Sequence, residues 1–364
     1  MIDPLRSVIS PHSSMQETVK FVASPRATLA DVAREAGLSA ATVDRVLNRR
    51  APVRAETARR VRDAAEAVGF HAARLLANRV DAMRPERRLG FLLQRRGTEV
   101  YRDLAAELVR ATTDPALGRH RPMVEHMEDL TPASVAERVA RLGERCDALG
   151  IVAADHPRVS AAVDRLAASG KPVYTLLSDL GTEARAGYFG IDHRKAGRTA
   201  GWVMVRLAGG MGDVGIVVGS HRYLGHELCE ISFRAYLREH APGLKMLEPL
   251  ASFEDPHFAQ EAMLDLLKRK PDLTGLYVPG GGIEGIIAAL RDSPPARHIV
   301  VVAMDLFTET REALLDGTID IVIATPLAEV ARTVVAAMLD RLDGKKPPPA
   351  GPHLRFELCL SENI

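Results

Sequence analysis

The run TLADVAREAGLSAATVDRVLNRRAPVRAETARRVRDAAEAVGF, residues 28–70, decides what this chain docks on. It reads as three short helices. Thr28-Leu29-Ala30-Asp31 forms a capping box that opens the first. Leu29, Val32, Ala33 and Ala36 then recur at i, i+3, i+4 and i+7, which puts them on one buried face. Gly37 supplies the left-handed residue that ends a helix. Ser39 is placed to cap the second helix. That helix buries Val43, Val46 and Leu47 and turns Ala40, Ala41, Asp44, Arg45 and Asn48 outward. The third helix buries Ala58, Val61, Ala65 and Val68, ends at Gly69, and has an outer face carrying Arg59, Arg60 and Arg62. Two short helices joined by a glycine-containing turn are the geometry that lays the second helix in the major groove of DNA.

Charge agrees with this. Residues 27–88 hold 13 Arg against 8 Asp and Glu, with no Lys, whereas residues 89–364 hold 32 basic against 37 acidic groups. A basic segment on a mildly acidic body implies an anionic partner for that segment alone, although a solvated charged face would show the same balance. The three cysteines, Cys146, Cys229 and Cys359, are far apart and odd in number, which fits free thiols in a reducing cytoplasm. No apolar run approaches the length of a membrane span. The first 26 residues, with three Pro and many Ser, read as a disordered tail rather than a secretory signal.

After Arg88 the pattern changes. Short apolar runs RLGFLLQ (88–94), ALGIVAA (148–154), PVYTLL (172–177), DVGIVVG (213–219), GLYVP (275–279), IVVVAMD (299–305) and IDIVIAT (319–325) suit strands buried on both faces of parallel sheets. Helical patterns at 101–112, 158–169, 256–270 and 327–342 lie between them. The alternation predicts a doubly wound α/β body, with too many strands for one sheet and therefore two lobes. Residues 343–352 read as a late Pro-rich loop. The expected organisation is a tail over 1–26, a helix-turn-helix head over 27–70, a hinge or linker over 71–87 and a body over 88–364. Within the body, lobe one takes about 88–189 and 326–342, and lobe two about 190–323 and 352–364.

The head resembles the DNA-binding domain of the lactose-repressor/galactose-repressor family, whose pattern is T-L-x-D-V-A-x-x-A-G-V-S-x-x-T-V-S-R-V-L-N, then V-S-x-x-T, then L-G-Y. The resemblance implies that Ala40, Ala41 and Arg45 read base edges, with Arg45 bidentate to a guanine and the alanines against a thymine methyl. It implies that Thr28, Ser39, Thr42 and Asn48 contact phosphate. Arg49, Arg50 and Arg54 would add charge along the backbone. Asp44 departs from the family's serine; there a carboxylate repels phosphate unless it accepts from a cytosine amine or pairs with Arg45 or Arg49. In the family a hinge helix with Pro-Asn and an inserting leucine follows. Here Ala72 and Ala73 stand at the Pro-Asn positions and Arg79 about where the leucine belongs, so a minor-groove arginine and an ordinary helical linker are both open.

Residues 88–360 resemble the periplasmic sugar-binding-protein fold that this family carries as its effector domain, through KPVYTLLSD (171–179), YFGIDHRKAGRTAG (188–201) and the run 299–326. Together with the rule that open α/β sheets bind ligands at their strand carboxyl ends, this nominates Tyr101, Ser178, Asp179, Arg222, Asp305 and Thr325 as effector contacts. Asp305 follows a wholly apolar strand and would suit a sugar diol; Tyr101 would stack on a pyranose face. Two family contacts are replaced, an Arg by Cys229 and an Asn-Asp by Pro279-Gly280. The expected protein is a cytoplasmic transcriptional regulator, a homodimer or higher even oligomer on a pseudo-palindromic operator, switched by a small molecule of carbohydrate type. It is expected to have no catalytic residue, cofactor, metal or membrane partner. The enzyme alternative is an NAD(P)-dependent oxidoreductase, because Gly280-Gly281-Gly282-Ile283-Glu284-Gly285 matches G-x-G-x-x-G, with Asp305 at the next strand's end. A softer version has that helix N-terminus hold an anionic group of the effector. His221, His226 and Glu227 match no standard zinc spacing and read as loop residues.

Overall fold

A computed structural model describes residues 27–48, 53, 55–73, 85–220, 222–345 and 353–364. The expected tail over 1–26, the linker from 74 to 84 with Arg79, and Arg49, Arg50, Arg54 and His221 lie outside these residues, as does the Pro-rich loop from 346 to 352. The chain divides between Arg84 and Pro85 into two units.

In the first unit, helices α1 (Leu29–Ala36), α2 (Ala40–Asn48) and α3 (Ala55–Ala67) form the expected trio. Thr28 caps α1 in a full capping box with Asp31, and Gly37 ends it at φ 62°. Their shared core joins Val32, Ala36, Val43, Val46, Ala58, Val61 and Phe70. Arg60 is exposed on the outer face, as expected, and from there its guanidinium donates to the Ala36 carbonyl at 2.6 Å. It thereby satisfies one of the carbonyls that a helix end leaves free.

The second unit contains two sheets, parallel except at the last strand of the chain. The first has order β2-β1-β3-β4-β5. Its strands are β1 (Arg87–Leu93), β2 (His120–His126), β3 (Ala148–Ile151), β4 (Val173–Leu176) and β5 (Gly187–Phe189). Helices α4 (Glu99–Thr112), α5 (Pro132–Arg145) and α6 (Pro157–Ala168) connect them. Then come α7 (His193–Leu207), β6 (Gly212–Val218), α8 (Leu224–His240), β7 (Leu244–Met246), β8 (Leu250–Ala251) and α9 (Pro256–Arg269). The chain continues through β9 (Leu273–Val278), α10 (Ile283–Asp292), β10 (Val300–Met304), α11 (Thr308–Leu315) and β11 (Ile321–Ala324). Helix α12 (Leu327–Leu342) returns to the first sheet, where Val330, Val334 and Met338 pack with Phe91 and Tyr174. Strand β12 (Glu357–Cys359) returns to the second and pairs antiparallel with β11. The second sheet has order β12-β11-β10-β9-β6-β7, with β8 beside β6.

Each sheet is covered on both faces, which is why its central strands are continuous apolar runs: all five residues of β10 are buried. With few aromatics the cores are mainly aliphatic, and each fully buried Leu, Val or Ile contributes about 1.5–3 kcal/mol of transfer energy. The chain passes between the sheets near 190–192, near 325–326 and again between α12 and β12, where Leu354 bridges to Ile191. The strands' carboxyl ends face a cleft between these two lobes.

Candidate functional site

The first site is the exposed face of α2. Ala40, Ala41, Arg45 and Asn48 are solvent-exposed, while Val43, Val46 and Leu47 are buried. The hydroxyls expected from the sequence to contact phosphate sit at helix starts. Thr28 Oγ1 donates to Asp31 at 2.7 Å, and Ser39 Oγ accepts from the Thr42 N–H at 3.2 Å and lies 2.9 Å from Thr42 Oγ1. Helix N-termini present free N–H groups to an anion. Asp44 is held in a way the sequence reading did not anticipate: Asn48 Nδ2 donates to its carboxylate at 2.6 Å. Asn48, expected at phosphate, thus orients the neighbouring carboxylate.

The second site is a cavity of about 350 Å³ between the lobes of the body. That lies within the range of small-molecule pockets, about 300–1,000 Å³. Tyr101, Ser178, Asp305 and Thr325 line it, four of the six nominated residues. Asp179 does not: it is bound by Arg185 at 2.6 Å and accepts from Thr175 at 2.6 Å. Arg222 lines a smaller neighbouring cavity instead. Both follow strands as expected, but Thr175 and Arg185 hold Asp179, and Arg222 lines the smaller cavity.

The sequence reading missed Arg95, His193, Tyr223, His226, Glu254 and Glu284, which also line the main cavity. Arg95 follows β1 and Glu254 follows β8, so the strand-end rule pointed to their positions; the short β8 run gave no apolar signal to attach Glu254 to. His226 faces the cavity rather than serving as an ordinary loop residue, 3.9 Å from the Glu254 carboxylate. Among the described residues no cluster could hold a metal ion.

The two lobes are hydrogen-bonded across this cleft. Tyr223 Oη donates to Gln94 Oε1 at 3.0 Å, Arg95 to the Glu254 carbonyl at 3.0 Å, and the Gly225 N–H to Ser178 Oγ at 3.3 Å. Thr308 Oγ1 donates to Glu99 at 2.8 Å. Leu177, Phe253, Glu254 and Asp305 are the described non-glycine residues with positive φ, between 53° and 66°. All four line one of the two cleft cavities. Such conformations cost about 1–3 kcal/mol each and collect at ligand sites.

Electrostatically the main cavity is acidic. Burial pushes the carboxyls of Glu254, Glu284 and Asp305 up, that of Glu254 to about 7. Thr325 partly offsets this for Asp305 by hydrogen bonding to it, and the Gly281 N–H does the same for Glu254. Burial lowers His193 to about 4, so its ring is neutral near pH 7. The arrangement offers acceptors to a ligand rich in hydroxyl donors.

The glycine run has a packing explanation. A Cβ on Gly281 would lie 1.9 Å from Glu254 Oε2, and one on Gly285 1.8 Å from the Pro256 carbonyl oxygen. Gly282 adopts φ 89° against Ser252. Glu254 therefore lies where a pyrophosphate would need to sit, and Glu284 adds a second carboxylate in the first turn of α10. An anionic group at that helix start, expected as one possibility from the sequence, meets two acidic side chains.

Glu254 also makes stability depend on pH. Its folded-state value of about 7 stands above the ordinary 4.5, so the stabilising contribution is complete below about 4.5 and is lost as pH rises through about 7. The urea midpoint should fall between pH 5 and pH 8 more steeply in the native protein than in Glu254→Gln. Parallel slopes would show that this carboxylate is ionised and well solvated in the fold.

A sequence profile described as "Periplasmic binding protein domain" matches residues 131–346, more than half of the chain. One described as "Bacterial regulatory proteins, lacI family" matches residues 28–72. No curated protein sequence matches. Similar solved structures include an ABC transporter solute binding protein from Agrobacterium vitis with bound D-fucose. It is 17% identical with a TM-score of 0.71, over 76% of this chain and 96% of that one. Another from Agrobacterium vitis, bound with alpha-D-tagatopyranose, is 20% identical with a TM-score of 0.70, over 76% and 96%. One from Burkholderia graminis, in complex with D-arabinose, is 18% identical with a TM-score of 0.69, over 77% and 98%. At these identities the likeness establishes the fold of the body.

Proposed function

The chain belongs to the lacI family of bacterial regulatory proteins, with a periplasmic binding protein domain as its body, and from that premise we propose that it is a transcriptional regulator whose hold on DNA is set by a carbohydrate-type effector in the interlobe cavity. The observation that carries the reading is the pairing of an exposed reading helix, α2, with a cavity between the lobes of the body lined by Asp305, Thr325 and Tyr101. Arg45 reads a guanine, Ala40 and Ala41 admit a thymine methyl, and Thr28, Ser39 and Thr42 position the head on phosphate. Asp44, aligned by Asn48, faces the groove as an acceptor. Arg49, Arg50 and Arg79 supply further charge to the DNA. Within the effector site, Asp305 and Ser178 take hydroxyl groups and Tyr101 covers a ring face. Asp179 and Arg222 support the cleft from outside the main cavity.

The head occupies about 27–70, a linker follows to 87, and the body carries the switch. The protein acts as a homodimer in the cytoplasm, two heads meeting two half-sites of a pseudo-palindrome. It works by binding rather than catalysis. Effector and operator affinities are then reciprocally coupled through lobe closure. The bound similar structures support a sugar or sugar derivative as the effector class.

Selection from a random DNA pool tests this directly. Full-length protein should enrich a two-fold symmetric motif, and one or more sugars from a pentose and hexose panel should shift the retained fraction. A pool that stays random would remove the operator reading. A motif whose retention no sugar alters would remove the carbohydrate effector.

A further inference from the structure

We infer that the effector is an amine-bearing carbohydrate, an amino sugar or aminated polyol, whose ammonium group pairs with Glu254. This rests on the carbohydrate reading of the main cavity and names the kind of sugar. The carboxyl groups of Glu128, Glu254, Glu284 and Asp305 line that cavity, against the guanidinium of Arg95 and the neutral ring of His193. They arrive from separate places in the chain. Glu128 follows β2, Glu254 follows β8, Glu284 lies in the first turn of α10 and Asp305 follows β10. Arg95 reaches the main-chain carbonyl of Glu254 at 3.0 Å rather than its carboxylate, and offsets the negative charge only in part.

Glu254 is the member of this set built to meet a cation. The fold makes room for its carboxylate with two glycines: a Cβ on Gly219 would overlap Oε1, and one on Gly281 would overlap Oε2. Within this cradle Oε1 is buried and accepts no hydrogen bond, and the ion pair that Glu254 makes among the described residues is a long one, 3.9 Å to His226 Nδ1. Burial first, and then repulsion from Glu284 and Asp305, raise its carboxyl. A buried carboxylate with so little counter-charge is costly. A hydroxyl from a neutral sugar would satisfy the oxygen and leave the charge uncompensated. An ammonium brings N–H donors and the opposite charge together. Among the described residues no cluster could hold a metal ion, so the cation that fits is one carried by an organic ligand. Ser178 and Asp305 line the same cavity and remain free to take its hydroxyl groups.

Calorimetry on full-length protein tests this with glucosamine, galactosamine, mannosamine and glucamine, each beside its uncharged parent and its N-acetyl form. At least one amine should bind about tenfold tighter than both counterparts, the least that a close, partly desolvated charge pair gives. Glu254→Gln should bring that ratio to about one. A second readout needs no variant. At about pH 6 the amine is already charged, while Glu254, at about 7 in the free protein, is mostly protonated. Pairing with an ammonium favours the ionised carboxylate, so binding of the amine to native protein should release most of one proton, read from the dependence of the binding heat on the buffer. Parent sugars that bind with no amine advantage would overturn the ammonium site and leave the carbohydrate reading standing. So would an amine advantage that releases no proton, or one that survives Glu254→Gln. If neither amines nor parents bind, the carbohydrate reading falls, and this inference with it.

Discussion

Arg45→Ala should lose roughly tenfold to a hundredfold of specific operator affinity per head, because a bidentate arginine–guanine pair is worth about 1–3 kcal/mol of base discrimination. The loss is large for a single side chain because α2 has little else to read with. Ala40 and Ala41 are too short for more than methyl contact, and Asn48 is turned onto Asp44. Removing one positive charge should also weaken binding to random DNA, but only slightly, with the salt slope smaller by about one. Fluorescence anisotropy on the selected operator and on a scrambled duplex, across a salt series, separates the two effects. An equal loss on both duplexes would mean that Arg45 touches phosphate and reads nothing.

Gly285→Ala should destabilise the body by about 3 kcal/mol, the upper end for inserting a carbon into a packed interior. The Cβ would lie 1.8 Å from the Pro256 carbonyl oxygen and 2.8 Å from the Gln260 nitrogen. Both are backbone atoms of α9, so no flexible side chain can swing aside, and α10 must back away as a whole. Urea denaturation of the full chain reads this as a lower midpoint at unchanged slope. The same experiment addresses the dinucleotide reading of the glycine run. A bound cofactor would raise the native protein's midpoint in proportion to the logarithm of its concentration. Native protein whose midpoint NAD or NADP does not move, together with a destabilised Gly285→Ala, assigns the run to helix packing; a native midpoint that rises with either nucleotide would reopen the oxidoreductase.

The head was legible in the sequence because every local signal there agreed: the Thr28–Asp31 box, the apolar spacing of Val32 and Ala36, the stop at Gly37. The central strands were legible for a related reason. Burial on both faces leaves continuous runs such as 300–304. Edge strands carry no such mark. β2 reads HRPMVEH and is mostly half-buried, and β5 and β12 are three residues each. Their existence depends on neighbours distant in the chain. The cavity was half legible. Asp305 and Thr325 follow strands that announced themselves, so the strand-end rule found them. Glu254 follows a two-residue strand, and its position depends on Gly281, 27 residues away, which no local pattern encodes. The glycines told that something approaches closely at 280–285; they did not tell that it was the protein's own carboxylate and the start of α9.

The left-handed residues at 177, 253, 254 and 305 carry a consequence for how this protein changes over generations and in the laboratory. Glycine or asparagine would relieve the backbone at Phe253 and Glu254, whereas aspartate already tolerates it at 305 and Leu177 is held by core packing. A library sorted for heat resistance alone should therefore gather substitutions at Phe253 and Glu254 and return hardened proteins that no longer answer to their signal. Thermal robustness and responsiveness compete for the same few residues here. A stabilised version that keeps its switch must find its gains elsewhere, on helix surfaces and caps remote from the cleft.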